Sequence, residues 1–405
     1  MQAPSIDAPS ADWLVYGDSL QEAGDPRGEL IGLSHAVAEG KTTADVRDAY
    51  VKEHAKALLG EAAPFLETYR FDWRFCLPLA VTVRIGANDG DRMLALLRTP
   101  LAAELRAITL VGHTDARAPV SLAPAMKELE LRRPPALRSF TFVDERASKA
   151  SMLISTDYEP PPNLVSFGSI VPFFAFAEEI QLDVADSHQL ELSPMAAPEL
   201  RAFTLKSLRF ADYDSAAVML GRLAEAKLPK LERYAVRLTE TWFTNIAAED
   251  NPYLPVYSER EAERVAEAAE EGEERENRYE TEADEGDTEG IDWNGEIGAL
   301  LELLAGCPLK HLALTAFNSS RTLIEAIDRV GLAPTLETLD LSDSSLGDED
   351  ATWIASRPAR FAGLKKIIAE RTSLSDAGIK TLKKLGPEIV ASRGTNSYRY
   401  VVGSE

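Results

Sequence analysis

A short pattern, LxxLxL, recurs along this chain at intervals of one strand plus one helix, and such a recurrence limits the possible folds more than any single residue does. It is clearest near the C-terminus, in Leu309-Lys310-His311-Leu312-Ala313-Leu314, Leu336-Glu337-Thr338-Leu339-Asp340-Leu341 and Leu364-Lys365-Lys366-Ile367-Ile368-Ala369, whose first positions are 27 and 28 residues apart. A helix-like stretch follows each of these. Ile324, Ile327 and Val330 recur at helical spacing before Gly331, and Ile379, Leu382 and Leu385 do so before Gly386-Pro387. A glycine just past the last turn, with a proline behind it, is a helix stop. The unit is thus a strand, a turn, a helix and a return to the next parallel strand. One such unit cannot cover its own apolar face, so the units must stack.

Further copies lie upstream, at Ala80 to Ile85, Leu105 to Leu110, Leu137 to Phe142, Leu200 to Leu205 and Leu231 to Val236, with weaker ones at Met126 to Leu131 and Ala177 to Leu182. Helical intervals are expected at Asp91 to Leu97, capped by Asp89 or Asp91, and at Asp214 to Ala226. The array is expected to begin near residue 70. An ordinary α/β open sheet would show longer strands of consecutive Val and Ile, and this chain lacks them.

These segments resemble the leucine-rich-repeat family. The pair Leu336-xx-Leu339-x-Leu341-xx-Ser344-x-Leu346 and Leu364-xx-Ile367-x-Ala369-xx-Thr372-x-Leu374 is most similar to the ribonuclease-inhibitor subtype. The resemblance implies an α/β solenoid: a horseshoe with parallel strands on its concave face and helices outside. Three features depart from the family. Ser344 and Thr372 replace the usual asparagine, which only Asn88 keeps. Met126 and Leu137 are only 11 residues apart, too close for a complete repeat. Leu164 to Ile170 fits the template poorly.

Ahead of the array, Gly24 is expected to end one helix, Asp25 to cap a second, and Pro26 to occupy the first position, where a missing N–H costs nothing. Leu14-Val15-Tyr16, Asp18, Leu20 and Gly24-Asp25-Pro26-Arg27-Gly28-Glu29 resemble a bacterial repeat-companion domain with a core close to LVYADWLxxxGDPRGExI, here with Gly17 and Ser19 in place of Ala and Trp. That domain accompanies leucine-rich repeats, and the resemblance implies no chemistry. Asp18, Arg27 and Glu29 could form a functional cluster or a structural ion pair, and the structural reading is preferred. A third helix is expected from Thr43 to Leu59, burying Val46, Tyr50 and Leu58. Phe71 to Phe75 then forms an aromatic cap on the open end of the array.

Charge narrows the choice of partner. The chain has 43 basic and 66 acidic residues, a net of −23, which disfavours nucleic acid and anionic membranes. Residues 259 to 292 hold sixteen Asp or Glu and four Arg, about half of that excess. Almost without apolar side chains after Glu270, this stretch is expected to be a solvated insertion, disordered in its second half. The array is expected to close beneath it through Ile297, Leu300, Leu301 and Leu304. Neither a signal peptide nor a membrane span is recognisable, so a cytoplasmic location is expected. Cys76 and Cys307 read as small buried apolar residues.

No motif for chemistry stands out. His35, His54, His113, His188 and His311 form no helical metal pair, and a P-loop, GxGxxG, GxSxG or CxxC is missing. Asp348-Glu349-Asp350 falls where a helix starts, and acids there complement its dipole. The chain is therefore read as non-enzymatic, without cofactor or metal.

What remains is the strand face opposite the leucines, formed by the third, fifth and seventh residues of each copy. Its charged members would be Arg84, Glu128, Glu130, Arg132, Lys206, Arg233, Arg237, His311, Asp340, Lys366 and Glu370. The expected function is recognition of another protein through this face. The alternative is an acidic inhibitor or immunity-like protein whose 259–290 stretch blocks a basic target. The expected organisation is a helical cap at 1–66, repeats at 67–248, the acidic insertion at 249–292 and further repeats with a C-terminal cap at 293–405.

Overall fold

A computed structural model describes residues 2–86, 90–112, 120–144, 165–166, 169–186, 196–209, 226–237, 293–315 and 320–393. The chain is α/β, with mostly parallel strands, and divides into two compact units. The first comprises residues 1–148, 161–184 and 189–191, and the second comprises 149–160, 185–188 and 192–405. Each contains strand–helix repeats of the leucine-rich-repeat type. The acidic insertion, Asn88, His113, His188 and the helical interval at 214–225 lie outside the described residues.

The first unit opens with helices α1 (Ser10–Glu22), α2 (Pro26–Ala38), α3 (Ala44–Glu53) and α4 (Ala55–Leu59), then a 3₁₀ segment over Gly60–Thr68. Gly24 has φ +72, a left-handed conformation that glycine adopts without strain, and it ends α1 as expected. Asp25 caps α2 by accepting from the Arg27 backbone N–H, with Pro26 at the helix start. The expected third helix is broken at His54, whose backbone leaves helical geometry. Its buried stripe runs through Arg47, Val51 and Leu58. Val46 lies one residue off that stripe, on the exposed side.

Strand β1 (Tyr69–Arg74) runs antiparallel to β2 (Leu77–Ile85). Its aromatics pack as a cover: the Trp13 ring of α1 stacks on Phe75 at 4.8 Å, and Phe71 lies 5.1 Å from Trp73. Helix α5 (Gly90–Leu97) leads to β3 (Ala107–Gly112), parallel to β2. The short β4 (Val120–Ser121) precedes α6 (Ala123–Leu131) and β5 (Ser139–Asp144). Next come β6 (Val165–Ser166), parallel to β4, then α7 (Val171–Phe174) and β7 (Glu179–Asp186), which extends the parallel ladder from β5.

Two expectations about this unit need correction. Met126 to Leu131 is helix, not strand: Ala125, Met126 and Leu129 are buried with helical spacing behind Pro124 in the first turn. The segment is therefore the helical half of the repeat that begins at Leu105, and the 11-residue anomaly disappears. The first copy is also anchored two residues earlier than Ala80. Val81 pairs with Ile108 and Val83 with Leu110, so buried Pro78 takes the leading position. By that register Gly86, not Asn88, stands where the family's asparagine would be.

The second unit runs from β8 (Ala202–Arg209) to β9 (Arg233–Arg237), then α8 (Trp293–Ala305), β10 (His311–Thr315), α9 (Ser320–Arg329), β11 (Thr338–Asp340), α10 (Asp348–Ala355), β12 (Lys366–Thr372), α11 (Asp376–Lys383) and β13 (Glu388–Arg393). Every neighbouring strand pair from β8 to β13 is parallel. The strands on either side of the acidic stretch are direct neighbours, Arg233 beside His311 and Arg237 beside Thr315. Leu300, Leu301 and Leu304 of α8 are buried, and the side chain of Ile297 lies outside the described residues. Gly331 and Gly386, both at positive φ, follow α9 and α11 where the stops were expected.

The core is made by the leading, fourth and sixth positions of each copy. Leu231, Tyr234 and Val236, then Leu309, Leu312 and Leu314, then Leu336, Leu339 and Leu341 are all at most 1% exposed. Leu339→Asp buries a charge there with no partner, whereas Asp340→Ala removes a half-buried carboxylate that accepts from the Ser342 N–H at 2.9 Å and its hydroxyl at 2.6 Å. Chemical denaturation should show a loss of several kcal/mol for Leu339→Asp and about 1 kcal/mol for Asp340→Ala. Equal losses would contradict the strand register.

Candidate functional site

In the second unit the third, fifth and seventh residues of successive copies line up across the ladder. On β8, β9 and β10 they are Ala202, Thr204 and Lys206; Arg233, Ala235 and Arg237; and His311, Ala313 and Thr315. Lys206 and Arg233 are exposed, and Arg237 and His311 half-buried. Alternation puts these side chains opposite the leucine core. The small residues of the fifth position, Thr204, Ala235 and Ala313, form a floor between basic residues on either side.

Farther along, the same face turns acidic and then mixed. Asp340 on β11 is adjacent to Ala313, and its carboxylate is held by Ser342. Asp343 and Arg371 occupy equivalent places in consecutive copies, both at positive φ, and the Arg371 guanidinium grips both oxygens of Asp343. This pairing raises the arginine's already high pKa. Arg237 reaches Asp343 at 3.9 Å, while its own Nε is buried without a hydrogen-bond partner. Lys366 on β12 lies 3.4 Å from Glu388, and the Glu370 N–H donates to the Ser342 hydroxyl.

The hydroxyls of Ser344 and Thr372, three residues past the last core position of their copies, work as structural acceptors and donors. Ser344 donates to the Leu341 carbonyl at 2.6 Å and accepts from the Leu346 N–H at 3.3 Å; Thr372 donates to the Ala369 carbonyl at 3.0 Å. Each is buried and thereby satisfied. The acidic run at α10 is structural too. Asp350 accepts from the Gly347 N–H, and Asp348 accepts from the N–H and hydroxyl of Ser375 in the next copy.

The remaining expected site residues lie elsewhere. Arg84 is half-buried on β2 of the first unit, facing away from Val83 and Ile85. Glu128 and Glu130 fall on α6 and Arg132 just after it, because that segment is helical. They therefore leave the strand-face set, and Arg132 pairs with Glu128 at 3.5 Å. In the N-terminal hairpin Arg27 binds Asp25, not Asp18, and holds that carboxyl below its usual range. Glu29 accepts from the Gln21 amide at 2.9 Å. The three charges do not converge on a shared centre. Cys76 is buried, its thiol pushed up to about 11 by burial, while Cys307 is only half-buried, contrary to expectation.

A charge pattern missed in the sequence lies at the second position of each copy in this unit. Arg201, Glu232, Lys310, Glu337 and Lys365 alternate in sign along the ladder. Arg201 pairs with Glu232 at 2.9 Å and Lys365 with Glu337 at 2.8 Å. Among the described residues no group of three His, Cys, Asp or Glu is placed to hold a metal ion, and no helix is long and apolar enough to cross a membrane.

No protein-family model and no curated protein matches the chain. Among solved structures, a Bacteroides fragilis protein has 15% identity, covering 74% of this chain and 70% of its own, with a TM-score of 0.48. An internalin from Listeria monocytogenes has 11% identity, covering 74% and 69% respectively, with a TM-score of 0.31.

The N-terminal hairpin depends on a close backbone approach. A Cβ on Gly28 would meet the Gly17 carbonyl oxygen at 2.6 Å and the Gln21 nitrogen at 2.7 Å, whereas one on Gly32 meets nothing within 4 Å. Gly28→Ala should therefore force α1 and α2 apart and cost about 1–3 kcal/mol. Gly32→Ala should stabilise by about 0.4–1 kcal/mol. Thermal melting of the two variants checks the pair, and a neutral Gly28→Ala would contradict the contact.

Proposed function

We propose that this chain is a non-enzymatic interaction scaffold that recognises a protein partner through the strand face opposite its leucine core. The observation that carries this reading is the side-chain order of β8 to β10, where charged and small residues stand in register on the sheet face opposite the leucines. Parallel strands in a doubly covered sheet would be apolar on both faces. Here one face is leucine-rich and buried, and the other is polar. Such a surface suits recognition by many spread contacts. In this reading the N-terminal hairpin is a repeat-companion cap, the partner-facing residues are Lys206, Arg233, Arg237, His311 and Asp340 with Arg84 in the first unit, and the protein works in the cytoplasm without cofactor.

The direct pairing of β9 with β10 favours keeping a second reading in view. Since the ladder closes without residues 249–292, that stretch is available for a role of its own, such as acidic mimicry against a basic target.

Affinity capture with the intact chain tests both. Arg233→Glu combined with Arg237→Gln removes the basic residues of β9 without placing a new negative charge beside Asp343. The expected outcome is loss of the specifically captured protein, with stability changed by no more than about 0.5–1 kcal/mol. Capture unaffected by the double variant overturns the strand-face reading. Capture lost instead on neutralising the acids of 259–290, with steep salt dependence, moves acidic mimicry into first place.

A further inference from the structure

We infer that the β8–β10 strand face binds an acidic segment of its partner, a run of Asp and Glu side chains presented by an extended peptide. The inference rests on the interaction reading above and specifies the chemistry of the ligand.

Three observations carry it. The first is composition in place. Of the nine facing positions on β8, β9 and β10, three are Lys or Arg, one is His and none is Asp or Glu, although acids outnumber bases 66 to 43 in the whole chain. The second is register. Lys206 and Arg237, both permanently charged, are direct cross-strand partners on parallel neighbours. Like charges placed directly opposite one another destabilise a sheet. An arrangement that costs the free protein stability is relieved when an anion settles between the two cations. The third is incomplete satisfaction. The Arg237 Nε is buried without a hydrogen-bond partner, and its nearest carboxylate, Asp343, stands 3.9 Å from Nη2 and is itself gripped by Arg371. The guanidinium is thus only weakly neutralised within the chain, and the part of this half-exposed side chain that faces solvent is suited to a further carboxylate.

Shape agrees with this chemistry. The floor of Thr204, Ala235 and Ala313 separates Arg233 and His311 on one side from Lys206 and Arg237 on the other. Third and seventh residues of one strand are about 13 Å apart at 3.3 Å per residue. An extended peptide lying across the strands over the alanines would send alternate side chains to opposite sides, toward the two basic rows. The chain's overall negative charge does not prevent this, because charges more than about 8 Å away are largely screened at physiological salt.

Fluorescence anisotropy on the full chain provides the test, with a labelled peptide of alternating Glu and Ser, its Gln/Ser counterpart, and a single-stranded oligonucleotide of equal charge. The Glu peptide should bind, the Gln peptide should not, and the oligonucleotide should bind at least about tenfold more weakly. Arg233→Gln with Arg237→Gln should weaken the Glu peptide at least about tenfold and flatten its salt dependence. Lys380→Gln, on the exposed side of α11, should change nothing. Lys206→Gln provides a separate check: it should weaken the peptide while leaving the melting temperature of the free protein unchanged or higher, since it removes a like-charge contact. Equal binding of the Gln peptide or the oligonucleotide, or full binding by the double variant, overturns the inference. If a protein is captured through this face while the Glu peptide fails to bind, the acidic-ligand inference falls and the interaction reading stands. If capture ignores the face altogether, the interaction reading falls first.

Discussion

A single copy of this repeat has a leucine-rich face and nothing of its own to put against it, so every copy depends on its neighbours. The fourth-position residues Phe203, Tyr234, Leu312, Leu339 and Ile367 are each at most 1% exposed, and each belongs to a strand flanked by others of the same kind. Fully burying a side chain of this size is worth about 1.5–3 kcal/mol, so a few copies together offset the chain entropy that one alone cannot. Because all the stabilising apolar surface is on one side, the opposite strand face is left free to vary. It is on this freed face that Lys206, Arg233 and Arg237 stand.

Apolar burial makes the copies stack, but it does not by itself choose their order. Polar devices at the strand ends supply that information. The alternating charges from Arg201 to Lys365 set opposite signs side by side, and each such pair is exposed and worth little in stability, about 0–1 kcal/mol. Their value lies in register. At the strand exits, Asp343 and Arg371 adopt the same left-handed backbone and pair with each other across copies, and Asp348 reaches Ser375 in the following copy. Between them Ser344 and Thr372 close the turn with hydroxyls where the related pattern uses an amide.

Much of this was legible because period two and period 3.6 leave different marks. The LxxLxL copies from Leu309 onward, the glycine stops at Gly331 and Gly386, and the Gly24-Asp25-Pro26 hairpin signal each had one physical reading. Met126 to Leu131 did not, since MxxLxL satisfies both a strand template and the i, i+3 spacing of a helix; only burial of Ala125 beside Met126 and Leu129 decides between them. The pattern alone does not fix the register at Ala80 for a related reason, because moving by two keeps every side chain on the same face. Site residues followed the elements that carry them. Those on well-defined strands, Lys206, Arg233, Arg237 and His311, fall on one face, and those from the misread segment, Glu128, Glu130 and Arg132, do not. Cross-strand pairing of Lys206 with Arg237 depends on which copies are neighbours, and 78 residues separate the leading positions of the copies at Leu231 and Leu309.

The central claim is that these two distant copies stack as if they were consecutive. Both the Lys310 and His311 N–H groups donate to the Glu232 carbonyl, at 2.9 and 3.0 Å, so the junction has amides that can be observed directly. Replacing residues 258–290 by a short Gly/Ser linker changes the length of the closing loop without touching the junction, and each doubling of loop length is worth only about 0.6 kcal/mol. Hydrogen exchange on that variant should show the Lys310 and His311 amides as protected as in the parent, within a single melting transition of nearly unchanged midpoint. Loss of protection at those two amides, or loss of cooperative melting, would contradict the direct stacking of β9 on β10.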